Sequence, residues 1–396
     1  MSEQTLSKPA HRPASVPIKR IALGAIAGSE RYLLVHEFGS QDAPLHIYMQ
    51  AGLHADEAPG SVVLYQLADQ LAQLESEGQV QARITLLPAA NPIGATQYLT
   101  GGLHCGRFDL ATGINFNRRF PDLRPAVREA LGQIPAADRH DAIALKHWLR
   151  KHLQNSLTHW PCASELDRWR VALMKLACTA DWVLDLHCDQ EAVTHLYTAP
   201  EIWPDFRSLA GHLASEVQLL DSTASEPDGH GAFDTACFQP WLTLKNELGQ
   251  NSELACRSAT IELRGQTDVS EAFAQRDVSA LIAWLRDIGA LSDDFSVDAE
   301  PARHTVSEPR PLVGVESIYA PNAGIFVPSV ELGSNVCIGQ TLGKLYDLQA
   351  HQTHHLQSQH GGIVFARTQS RVVRQGAELI KIAGAHATRN GSLLSQ

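Results

Sequence analysis

Three short stretches of the chain carry residue types that can do chemistry. His54-Ala55-Asp56-Glu57 follows an apolar run and precedes a stretch of helical periodicity. On a helical turn, positions i and i+3 share a face, so His54 and Glu57 can reach one metal ion. His187 closes the apolar run DWVLDLH, at a strand end, where α/β proteins gather functional groups. Glu262 lies inside ATIELRG between Ile261 and Leu263, where a charge is costly unless solvated, paired or beside a metal. Each has a plain structural reading as well: an exposed His–Glu pair, a core histidine bonded to a carbonyl, a glutamate on the outward face of a strand. Taken together they supply two histidines and a glutamate as ligands and a further carboxylate as base, the composition of a catalytic zinc site. Zinc suits these donors and lowers the pKa of a bound water to about 7, where a nearby carboxylate can take its proton.

Such residues need elements to bring them together. Leu45 to Ala51 predicts a strand ending in a glycine turn. Pro59 suits a first helical turn, and GSVVLYQLADQLAQL carries apolar residues at helical spacing. ARITLLPAANP reads as a second strand, closed by Asn91-Pro92. Leu166–Ala180 predicts a helix, DWVLDLH a buried strand, SATIELRG another, and Val269–Ile288 a helix. This alternation predicts an α/β layer fold. Pro121–Leu157 reads as a mostly helical insertion. Ser292–Pro311 is rich in acid, Ser and Pro, and the chain beyond it has short β-rich runs punctuated by Gly. A loose xGxxL pattern recurs there (Gly339–Leu342, Gly376–Leu379), a weak internal duplication. The expected organisation is a flexible arm (1–20), a catalytic domain (21–291), a linker (292–311) and a small β domain (312–396).

Composition narrows the function classes. Of 396 residues, 44% are hydrophobic and 19% charged, as in a folded protein. The 32 Lys+Arg against 43 Asp+Glu give a net charge of −11, with no basic run, which argues against nucleic-acid or anionic-membrane partners. Seven cysteines, an odd number with no CxxC pair, exclude a disulfide framework and a thiolate zinc cage as expectations. Met1–Ser15 has no apolar core segment and no run of 18 apolar residues occurs, so a cytoplasmic protein is expected.

Read in order, His54-x-x-Glu57, Asn117-Arg118 in GINFNRRFP, His187 in DLH and Glu262 in TIEL resemble the landmarks of zinc carboxypeptidases. More closely, they resemble the succinylglutamate desuccinylase/aspartoacylase branch, over roughly Leu45–Ile288 and into the tail, since that branch typically carries a C-terminal β domain. The resemblance implies a mixed sheet flanked by helices with a C-terminal all-β sandwich-type domain. It implies one Zn2+ per chain on His54, Glu57 and His187, and Glu262 as general base and then acid. It also implies Arg118 with Asn117 as holders of a substrate carboxylate, and Arg107 beside the scissile carbonyl, stabilising its oxyanion. The substrate would be a small N-acyl amino acid or related acylated amine; a homo-oligomer is compatible with the sequence. A metallocarboxypeptidase and a metal- or ligand-binding module with a degenerate site share these landmarks.

Some details depart from the pattern or stand outside it. Asn115 stands where the family usually has Asp, and Arg119 adjoins Arg118. Arg264, two positions after Glu262 in a regular strand, would share its face, lowering the Glu262 pKa, binding an anion or forming a structural ion pair. Tyr197 is a candidate substrate neighbour by its closeness to the His187 strand. The tail halves resemble a biotinyl/lipoyl sandwich, but their connection, Tyr346–His360, has no Lys, and Lys344 precedes it. The tail therefore reads as a lid, oligomerisation surface or access filter. The tract His351, His354, His355 and His360 reads as a polar loop, with adventitious metal binding as the alternative.

Overall fold

The computed structural model describes residues 16–26, 28–135, 138–222, 231–249, 254–292 and 304–388. Strands β1 (Lys19–Ile26) and β2 (Ser29–Phe38) form an antiparallel pair. β3 (His46–Ala51) is buried at every position, and Gly52, at φ +69°, turns the chain in a conformation glycine adopts without strain. α1 (Ala58–Ser76) has Pro59 in its first turn, where no amide hydrogen is required, and buries Val63, Leu64, Leu67, Leu71 and Leu74 at helical spacing. β4 (Arg83–Leu87) then pairs parallel with β3. A small hairpin, β5 (Tyr98–Leu99) and β6 (Leu103–His104), leads into an irregular segment containing Arg107 and Asn115 to Arg119.

The expected helical insertion contains α2 (Arg124–Ala130) and α3 (Ala142–Thr158). Leu145, Leu149, Leu153 and Leu157 recur every four residues and are buried, while Lys146 and Arg150 both bridge Asp181 at the start of the next strand. The insertion thus braces the strand that carries His187. α4 (Glu165–Ala177) opens with a Ser164–Asp167 capping box. β7 (Trp182–Asp189), β8 (Glu191–Ala192), β9 (His195–Thr198), α5 (Trp203–His212), β10 (Val217–Leu220), α6 (Phe233–Leu248), β11 (Arg257–Gly265), α7 (Glu271–Asp287) and β12 (Arg310–Pro311) complete this part.

Among the described residues, nine strands make one mixed sheet in the order β1-β2-β4-β3-β7-β11-β9-β10-β12. β4, β3, β7 and β11 run parallel, and β9 is antiparallel to β11. The central strands are buried on both faces, as parallel strands flanked by helices must be. Arg310–Pro311, at the end of the expected linker, are the ninth strand of the sheet, and Lys19–Arg20, at the end of the expected arm, already belong to β1. Residues 1–15 and 293–303 of those two segments lie outside the described residues.

The tail is all-β. β13 (Val315–Tyr319), β14 (Gly324–Pro328), β15 (Asn335–Val336), β16 (Thr341–Asp347), β17 (Gln352–Gln357), β18 (Gly362–Arg367), β19 (Val372–Val373) and β20 (Glu378–Ala383) form two sheets, β13-β20-β18-β15 and β17-β16-β14-β19. They enclose a core that includes Phe326, Leu342, Leu345, Val364, Leu379 and Ile382. The xGxxL repeats match in structure: Gly339 and Gly376 both have positive φ, and Leu342 and Leu379 are both fully buried, on β16 and β20 of opposite sheets. The tail docks through β18, which pairs with β8, and through an apolar cluster joining Val193, Val217 and Leu219 to Leu312, Phe365 and Ala383. Among the described residues no helix is long and apolar enough to cross a membrane.

Candidate metal centre

The two imidazoles come from neighbouring parallel strands. His54 follows the turn after β3, and His187 sits near the C-terminal end of β7, the sheet edge at which functional groups of α/β proteins collect. Glu57 precedes α1 directly, so its carboxylate lies at the positive end of that helix. The sequence suggested a helical turn for His54-x-x-Glu57. The structure instead has a tight turn before the helix, closed by the Glu57 amide donating to the His54 carbonyl at 3.1 Å. All three side chains are buried.

His54 Nδ1 lies 2.9 Å from Glu57 Oε1, and His187 Nδ1 lies 2.8 Å from Glu57 Oε2. The ring centroids are 4.9 Å apart, and one donor atom from each of the three residues falls within 4.8 Å of the others. The far nitrogens also face acceptors. His54 Nε2 is 2.9 Å from Asn115 Oδ1, and His187 Nε2 is 3.0 Å from Asp185 Oδ2. Metal-bound histidines are oriented in this way, the outer ring nitrogen turned to a carboxylate or carbonyl and the inner one to the ion. Two converging Nδ1 atoms and a buried carboxylate, each imidazole with its outer acceptor, fit a divalent cation.

The charges point the same way. Burial lowers the His54 pKa. Burial would lower His187 too, but the carboxylates of Asp185 and Glu57 outweigh it and hold the pKa well above the usual range. Burial alone would raise Glu57, yet the two imidazoles keep it well below the usual carboxylate range. Such a packed set of anionic and imidazole groups is what a dication compensates.

Glu262 stands on β11 in register with His187. Burial and then the charge of Glu57 push its pKa up to about 8, and its Oε2 is buried with no hydrogen-bond partner among the described residues. Arg264 does not share its face. The strand register shifts between Glu262 and Gly265, Arg264 takes φ +66°, and its guanidinium grips Asp277 of α7 at 3.1 and 2.6 Å. Of the readings offered by sequence, the structural ion pair is the one found, because a bulge breaks the alternation on which a shared face depends.

Arg107 reaches the cluster, with Nη2 3.3 Å from Glu57 Oε1 and Nη1 3.4 Å from His54 Nδ1. Gly106 makes this approach possible: its carbonyl accepts from Ala55 at 3.0 Å, and a Cβ there would sit 2.2 Å from the Asp56 nitrogen. Arg118 lines the cavity beside the cluster, whereas Arg119, at φ +61°, is exposed and does not. Asn117 also lines it, but its Oδ1 accepts from the Phe233 amide at 2.7 Å and so fixes the start of α6.

The cavity measures about 590 Å³ and holds His54, Arg107, Arg118, His187, Tyr197 and Glu262 on its wall. The tail supplies much of the rest, including Tyr319, Phe365, Arg374 and Lys381. It is clamped next to His187: Lys381 Nζ bridges Asp189 at 2.6 Å, and Glu191 bridges Arg367 and Arg371 at 2.5 and 2.7 Å. The histidine tract lies elsewhere. His354 and His355 are on β17, and among the described residues only His54, Glu57 and His187 form a group of three or more metal-donating side chains. Sequence reasoning left Asp185, Asp189, Asp234 and Lys381 without a role. Asp185 was findable, since in a strand it shares a face with His187 two positions on; the others meet only through the fold.

Fold and site together define a mixed α/β protein with a His–Glu–His centre at the ends of parallel strands and a β sandwich over its cavity. Residues 44–288 match the succinylglutamate desuccinylase/aspartoacylase catalytic domain, and the chain belongs to that family. Among solved structures it is similar to a succinylglutamate desuccinylase/aspartoacylase family protein of Shewanella amazonensis, at 26% identity and TM-score 0.78, covering 93% of this chain and 98% of the other. A protein assigned to the same family from Shewanella frigidimarina gives 26%, 0.75, 93% and 97%. A succinylglutamate desuccinylase/aspartoacylase of Rhodobacter sphaeroides shares the fold at 15% identity and TM-score 0.62, over 94% of this chain and 96% of the other. No curated protein matches the chain.

Proposed function

We propose that this chain is a zinc-dependent amidohydrolase that cleaves the amide of a small N-acyl amino acid. The observation that carries the reading is the convergence of both imidazole Nδ1 atoms on Glu57, with the Glu262 carboxylate in register beside His187. His54, Glu57 and His187 would hold a divalent cation, which would supply Lewis acidity for the amide carbonyl and for water. Glu262, a carboxylate on the cavity wall in register with His187, takes a proton from the attacking water and returns one to the leaving nitrogen. The Arg107 guanidinium, 3.3 Å from Glu57, puts a fixed positive charge where the carbonyl oxygen becomes negative. Arg118 binds the substrate carboxylate and holds the amide in place for attack.

A cavity of about 590 Å³ walled by the tail favours a small acylated amino acid over a polypeptide, and so the deacylase reading over the carboxypeptidase one. The free state of all seven cysteines supports a reducing, cytoplasmic setting. The test is metal analysis of the purified protein followed by a screen of N-acyl amino acids for free amine release, with Glu262→Gln as control. About one divalent ion per chain and release abolished by the variant are expected. Absence of stoichiometric metal, or wild-type turnover in the variant, overturns the mechanism.

A further inference from the structure

One part of the cavity wall is the first turn of α6, and the metal chemistry does not use it. Asp234, the second residue of that helix, is only 7% exposed and lines the cavity. Its carboxylate takes hydrogen bonds from its chain neighbour Thr235, through the hydroxyl at 3.5 Å on Oδ1 and through the backbone amide. Nearby hydroxyls are committed elsewhere: Ser258 donates to the Asp234 carbonyl at 2.8 Å and Thr198 to the Ser258 carbonyl at 2.9 Å. Ala232, Phe238 and Thr260, which line the cavity with it, bring no charge, and Asp221 brings another carboxylate. Burial, and after it the negative charge of Asp185, pushes the Asp234 pKa up to about 6. An acidic residue in a first turn also suits the helix dipole, but that role does not require a buried carboxylate on a cavity wall.

The position of Asp234 relative to Arg118 is built into the fold. The Asn117 side chain accepts from the Phe233 amide at 2.7 Å, which ties the residue before Arg118 to the residue before Asp234. A guanidinium and a carboxylate are thereby set on one wall of the same cavity, and the Asp234 charge acts on Arg118.

We propose that Asp234 selects a cationic side chain on the amine half of the substrate, which is then an N-acyl diamino acid. Its α-carboxylate meets Arg118 and its side-chain ammonium meets Asp234, so that four charges alternate in sign. An acidic side chain would set carboxylate against carboxylate in a buried site, which is strongly unfavourable. Acyl derivatives of glutamate and aspartate are therefore poor substrates of this chain. This inference rests on the amidohydrolase reading and narrows it.

The test measures kcat/KM of the zinc-loaded full-length protein on Nα-acetylornithine and Nα-acetyllysine against Nα-acetylnorvaline, Nα-acetylnorleucine and Nα-acetylglutamate. The basic members are expected to be preferred, and Asp234→Asn to reduce the basic-to-neutral ratio by about 10–100-fold, the range for a charged hydrogen bond. A second arm titrates free ornithine and norvaline into the Glu262→Gln protein by calorimetry, with and without Asp234→Asn, and Asp234→Ser replaces Asn should that variant not fold. Ornithine binding that depends on Asp234, with no turnover of any acyl amino acid, keeps the subsite and sinks the hydrolase reading. A wild-type preference for neutral or acidic side chains, or an equal loss on every substrate in the variant, overturns the subsite while the reaction stands.

Discussion

The His54 and His187 rings owe their orientation to residues outside the candidate ligand set. Asn115, which replaces the expected Asp, accepts from His54 Nε2 without adding a charge, and Asp185 faces His187 Nε2. The neutral amide leaves His54 with less anionic support than His187 has, in keeping with the opposite directions of their pKa shifts. Asp185→Asn should weaken metal affinity by about 10–100-fold, the usual effect of an outer partner, as read by competition with a chelating dye. Glu262→Gln should lower kcat by roughly 10²–10⁴-fold, as expected for loss of a positioned acid–base group, with metal content unchanged. Arg118→Ala should raise KM for carboxylate-bearing substrates by roughly 10–100-fold and leave an amide lacking that carboxylate little affected. Equal losses on both would remove the clamp.

At the scale of elements, four junctions decide where chemistry sits. The turn before α1 brings Glu57 to His54, the bulge in β11 sends Arg264 to Asp277, and the Asn117–Phe233 bond docks α6. A fourth, the contact of the Gly106 loop with the His54–Glu57 turn, carries Arg107. Gly106→Ala should displace that loop, because its methyl group would lie 2.2 Å from a backbone nitrogen that cannot yield without moving the ligands. Reduced turnover and reduced metal affinity together are the expected result; a variant with both properties of wild type would show that the loop adapts. α6 was not legible in the sequence: Pro240 lies inside it, and a proline in a helical pattern reads as a break.

For the whole molecule, acid sensitivity follows from buried neutral histidines. Burial lowers both His46 and His195 to about 4, against about 6.5 in an unfolded chain. Below pH 6.5 the unfolded chain takes up protons that the folded chain refuses, so stability falls from pH 6.5 down to about 4. At 1.4 kcal/mol per unit, each histidine contributes up to about 3 kcal/mol to that loss. Urea unfolding between pH 4 and 7 reads the slope. His195→Gln should flatten it, and an unchanged slope would exclude His195 as a source. His195 also packs edge-on against Phe365 of the tail, so this titration bears on the joint that closes the cavity.

The chain by itself determined the candidate site and the layers. A charge inside an apolar run, a histidine at a strand end and the HxxE spacing are local costs and reaches, and they singled out His54, Glu57, His187 and Glu262. Strand–helix alternation and the Gly-punctuated tail likewise follow from short-range periodicity. Tertiary structure alone decided which face Arg264 takes, since a single bulge reverses alternation, and which of Arg118 and Arg119 turns to the cavity. It alone brought Lys381 to Asp189, 192 positions away, and Asp234 to the wall that Arg118 shares. Such pairs are set by packing between distant elements, and no periodicity along the chain encodes the distance between two side chains that meet only when the sheet and the sandwich close on each other.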